Sequence, residues 1–142
     1  MQIEHKWDAE SGVATCIVYD KDMQFVGEAK CHADDAEYSS AITGGYIAEG
    51  RAFIKLYQHE KNNVLRPQIN LLQHMSNTFK SYKNYNPKER SVVRIEKELE
   101  KKKLEFERTK KAIENEKENL KEYMRKKDEY HKYLGKRKQS SK

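Results

Sequence analysis

Between Ser91 and Leu134 the chain has no glycine and no proline, and apolar residues recur there every seven positions. Val92, Leu99, Phe106, Ile113, Leu120 and Leu134 share one heptad position, interrupted only by Lys127. This period specifies a continuous helix of about 65 Å at 1.5 Å per residue, with a left-handed supercoil along its covered face. The second core position reads Ile95, Lys102, Thr109, Glu116, Tyr123 and Tyr130. Its polar middle argues against a long, tight parallel dimer. A lone helix this polar is marginal in water, so the stripe needs a partner. Three are available: a second copy, an upstream helix folded back on it, or another protein. A hairpin within the chain is favoured, with homo-oligomerisation to a dimer or higher form expected beside it.

The upstream helix is present in "NNVLRPQINLLQHMSNTFKSY". There Leu65, Ile69, Leu72, Met75, Phe79 and Tyr82 fall three or four residues apart, an amphipathic stripe. Pro67 suits the first turn of a new helix and predicts a break near Asn62–Arg66. "KNYNPKER" carries turn chemistry at Asn84, Asn86 and Pro87 before the long helix begins.

The first sixty residues have another grammar. "GVATCIVYD" and "MQFVGEAKC" are β-rich runs around the polar turn "DKD", and "QIEHKW" alternates as a third strand. Pairing Val18 with Phe25 and Cys16 with Gly27 puts both apolar sets on one face. A slip of one residue would oppose that face to Gln24, Glu28 and Lys30. The following run, "AITGGYIAEGRAFIKLYQHE", has Ala41, Gly45, Ala48 and Ala52 along one helical face, so that helix lies close to the sheet. The predicted fold is α+β: a small antiparallel β-sheet packed on a helix, then a long helical hairpin or coiled coil.

Charge divides the chain the same way. Residues 1–60 carry five bases against eleven acids, and residues 61–142 carry 24 against 12. We divide the chain into an acidic βββα head (1–61), an amphipathic helix and turn (62–86) and a basic coiled-coil helix and tail (87–142). No apolar run approaches the ~18 residues of a membrane span, and the N-terminus lacks signal-peptide features. A cytoplasmic location with reduced thiols is expected, without membrane contact. In the basic part, Lys80, Tyr82, Lys83 and Tyr85 join cations to aromatic rings that can stack on bases, and Lys136, Arg137 and Lys138 end the tail. These seven are the candidate nucleic-acid-binding residues.

Candidate chemistry concentrates in "CHADDAEYSS". His32 with Asp34 and Asp35 is a possible general-base pair or hard-cation site, but no nucleophile or orienting group accompanies them. Two separated cysteines without CxxC spacing make a poor zinc site. Cys16 and Cys31 are not opposite one another in the predicted register, so no disulfide is expected. "TGGYIAEG" has neither phosphate-loop spacing. The simpler reading ends the strand at Cys31 and uses the acids at a helix N-terminus, with Asp34, Asp35, Ser39 or Ser40 as the cap. We therefore expect no enzyme, no catalytic residues, no metal and no cofactor.

The run "FVGEAKCHADD…TGGYIAEGRAFIKLY" resembles a module of small phage-encoded proteins. In that module a hairpin ending G-x-A-x-C-H-x-D-D leads into a helix with an A-x-x-R-A signature. Ala48, Arg51 and Ala52 match the signature, while Ala33 stands where the pattern more often has proline. The head also looks like double-stranded-RNA-binding-like βββα domains, and "NNVLRPQI" with the charged tail looks like longer members of the phage group. The resemblance implies an α+β head and a phage or prophage origin, and carries over no catalytic residue. The expectation is a non-enzymatic phage accessory protein acting by binding in the host cytoplasm, as an inhibitor of a host defence system or regulator. Its partner would be a host protein or a small nucleotide ligand, with His32, Asp34 and Arg51 as partner contacts. The alternative is a nucleic-acid-binding protein using the basic helical tail.

Overall fold

The computed structural model describes residues 1–30 and 41–140, with the backbone alone at 41–42 and 127–140. Three strands, β1 (Gln2–Asp8), β2 (Val13–Asp20) and β3 (Met23–Lys30), form an antiparallel sheet in the order β1-β2-β3. Helix α1 (Ala41–His59), a π-helical segment (Glu60–Leu65), α2 (Arg66–Lys80) and α3 (Arg90–Ser140) follow. The fold is α+β. The chain makes two compact units, Met1–Leu56 with Glu114–Lys142, and Tyr57–Ile113.

In the first unit the register is the one the apolar alternation specifies, with Cys16 opposite Gly27 and Val18 opposite Phe25. Ile3, His5 and Trp7 of β1 stand opposite Val18, Cys16 and Ala14. The β1–β2 loop closes with the Gly12 amide donating to Asp8 O at 2.8 Å, and Gly12 adopts φ 68°, open to glycine at little cost. Lys21 and Asp22 form the two-residue β2–β3 loop, where Lys21 takes a positive φ.

Ala14, Cys16, Val18, Phe25 and Ala29 are buried together with Ile47, Ala48 and Ala52 of α1, and Phe53, Leu56 and Tyr123 pack against them. Small residues set the spacing. A Cβ placed on Gly27 would run into the Ala48 carbonyl oxygen and stand 2.5 Å from the Ala52 amide nitrogen. Gly44 lies over Ala14 and Trp7, and Gly45 over His5. The alanine and glycine row thus places helix backbone almost on strand backbone. From α3, Leu120 packs at Gly50, and the Tyr123 ring meets Tyr46 with centroids 4.4 Å apart.

The second unit contains a helical hairpin. Lys103 Nζ donates to Gln73 Oε1 at 3.4 Å, Ser76 Oγ donates to a Glu96 carboxylate oxygen, and Lys80 lies 3.8 Å from that carboxylate. Lys61 and Arg66 cover the Phe106 ring at 6.0 and 5.6 Å. Residues rising along α2 meet residues falling along α3, as antiparallel packing requires. Val92, Leu99 and Ile113 are buried and Phe106 half-buried, in the heptad register read from the sequence.

The predicted break at Asn62–Arg66 is not a break. The helix continues through the π segment, and the Arg66 amide bonds Lys61 O, five residues back. Pro67 has no amide to give and its ring crowds the preceding turn. Widening that turn removes both conflicts without interrupting the helix.

Candidate binding site at the interhelical turn

Helix α2 ends where Ser81 turns its amide onto Asn77 O and Thr78 O, both at 3.2 Å, and its hydroxyl onto Thr78 O at 2.6 Å. Tight turns then overlap: Tyr82 N donates to Phe79 O, Tyr85 N to Tyr82 O, and Glu89 N to Asn86 O. Asn86 Oδ1 accepts the Lys88 amide at 3.0 Å, an Asx turn leading into α3. The chain therefore coils tightly from Phe79 to Val92 and lines an open cleft of about 410 Å³. Its volume is within the range that holds a small organic ligand.

The cleft floor is apolar, from Phe79 and the buried Val92. Its walls carry the Tyr82 and Tyr85 rings, the Asn84 and Asn86 amides, Lys83 and Glu89. Tyr82 is 61% exposed, whereas Tyr85 is half-buried. Across residues 80–96 five bases face two acids. The arrangement offers rings for stacking, amides that both donate and accept, and one ammonium group for an anion.

Tyr82, Lys83 and Tyr85, named from the sequence, meet in this cleft. Lys80 does not line it and is paired with Glu96. Asn84, Asn86 and Glu89 are additions. Asparagines before a proline carry the signal of a turn, and that signal masked their place on a cleft wall.

Arg51 has a structural task. Its Nη1 donates to Glu28 O at 2.6 Å, and one turn later Lys55 Nζ donates to Val26 O at 2.6 Å. Four helical residues rise ~6 Å and two strand residues ~6.8 Å, so the two side chains match two successive outward carbonyls of β3. They cap that sheet edge. His32, Asp34 and Asp35, the N-cap candidates and Cys31 lie outside the described residues. Lys136, Arg137 and Lys138 fall on the backbone of α3, with side chains outside the described set.

Cys16 is a free thiol, fully buried. Burial, reinforced by the Glu49 charge, pushes its pKa up and keeps the unreactive thiol form. Among the described residues no three His, Cys, Asp or Glu side chains gather as metal ligands, and no helix is long and apolar enough to cross a membrane. No protein-family model, curated protein or solved structure matches the chain.

Proposed function

We propose that this chain is a non-enzymatic binding protein that captures its partner at the α2–α3 turn. In this reading it is a phage accessory protein acting in the host cytoplasm, and it disarms a host defence system or regulator. The observation that carries the reading is the cleft itself, where the exposed Tyr82 ring, the half-buried Tyr85 ring, two amides and Lys83 converge on one volume. The sequence resemblance to small phage-encoded modules supplies the biological setting. Tyr82→Ala and Lys83→Glu alter exposed side chains and leave the hairpin intact. Host cells expressing the wild-type chain should lose protection against a phage that their defence restricts, and cells expressing either variant should keep it. Equal potency of variants and wild type overturns the proposal.

A second reading, nucleic-acid binding, is favoured by the basic surroundings of Tyr82 and Lys83. It requires an electrophoretic shift that weakens steeply with salt. Neutralising Lys136, Arg137 and Lys138 should then weaken all sequences alike. No shift at low salt removes this reading.

A further inference from the structure

We propose that β1 is a self-pairing edge: two copies join β1 to β1 antiparallel about a twofold axis at His5, giving a continuous six-stranded sheet. The two edges of the present sheet differ. On β3, the carbonyls of Val26 and Glu28 point away from β2 and are capped by Lys55 and Arg51. Since strand residues alternate, Phe25, Gly27 and Ala29 bond β2, and they do so to Val18, Cys16 and Ala14. The odd-numbered residues of β2 then bond β1, through Gln2, Glu4, Lys6 and Asp8. Among the described strands, Ile3, His5 and Trp7 are left with their amides and carbonyls directed away from β2.

The same three residues stand on the sheet face that is buried on β2 and β3. Here Ile3 and Trp7 remain 42% and 37% exposed. Pairing about His5 sets Ile3 opposite the partner's Trp7, Glu4 opposite the partner's Lys6 and Gln2 opposite the partner's Asp8. Apolar meets aromatic, and acid meets base, on each side of the axis. Other registers fail. A shift of two residues opposes Glu4 to Glu4 or Lys6 to Lys6, and a shift of one opposes Ile3 to Lys6 or Asp8. The chosen register adds about six backbone hydrogen bonds, from three outward residues on each strand. Gly44 and Gly45, which carry no side chains, lie over Trp7 and His5 beside the axis.

The test is sedimentation of the full chain over a concentration series, with Trp7, the only tryptophan, as an optical reporter. Wild type should dimerise, and its emission should shift to the blue as it does. His5→Pro removes an outward amide that β2 does not use, so it should dissociate the pair while the circular dichroism spectrum is kept. Glu4→Lys and Lys6→Glu should each raise the dimer dissociation constant at least about tenfold. Mixing these two variants, or combining both changes in one chain, should restore pairing. A wild type that stays monomeric at its highest soluble concentration overturns the proposal. So does an assembly that H5P, E4K and K6E all leave unchanged.

Discussion

Gly27 and Gly50 both sit where a methyl group would meet a neighbour, yet the neighbours differ in kind. At Gly27 the obstacle is α1 backbone, at Ala48 and Ala52, which has no room to retreat. At Gly50 it is the branched end of Leu120, whose Cδ2 would stand 2.7 Å from the new atom. Gly27→Ala should cost about 3 kcal/mol by overpacking. Gly50→Ala should fall within about 1 kcal/mol of wild type, because alanine regains helix propensity of similar size. Chemical denaturation of the two variants gives this contrast directly. Asp8 makes a second residue-scale prediction. Its carboxylate is held below the usual range by the Ser11 hydroxyl, then by the Glu10 and Ser11 amides. A folded pKa below the unfolded one stabilises the fold while Asp8 is ionised, and the benefit disappears as pH falls through the folded value. The stability difference between wild type and Asp8→Ala should therefore be constant near neutrality and shrink below about pH 4. Thermal melts across that window check it.

Among the elements, strand register and the heptad stripe were legible because each depends on a short period and one buried face. The three polar second-position residues were legible too, but not how they are tolerated. Lys102 sends its ammonium toward Glu105 at 3.8 Å, and Thr109 returns its hydroxyl to Glu105 O at 2.9 Å. Lys102 and Thr109 thus resolve their polarity within their own helix, and among the described residues no buried side-chain polar atom lacks a partner. The π segment was not legible. Proline and asparagine favour a break locally, whereas the flanking helices are long enough to hold the backbone together through a widened turn. Ser76, 2% exposed and bonded to Glu96, is the polar point of the α2–α3 seam. Ser76→Ala should destabilise by about 1 kcal/mol, since Glu96 loses a donor but keeps Lys80 nearby. A lower denaturation midpoint at unchanged m-value is the expected signature.

For the whole molecule, the architecture could be read from periodicity, while the cleft could not. Its walls come from a helix end, a turn and a helix start, and each of those residues has a sufficient local reason to be there. Asn86 is explained by the Asx turn it makes, and only the folded chain shows it beside Tyr82 and Glu89. Arg51 shows the reverse case. It stood out as a signature residue and a candidate contact for a foreign molecule, and the fold adds a bond from its Nη1 to the chain's own backbone at Glu28 O. That contact limits the arithmetic of assembly. A sheet open at both borders has a valence of two and propagates into fibrils, whereas one sealed by Arg51 and Lys55 has a valence of one. Growth along the sheet past a first pairing would have to displace Arg51 and Lys55 from Glu28 O and Val26 O, so these two cations work as chain stoppers.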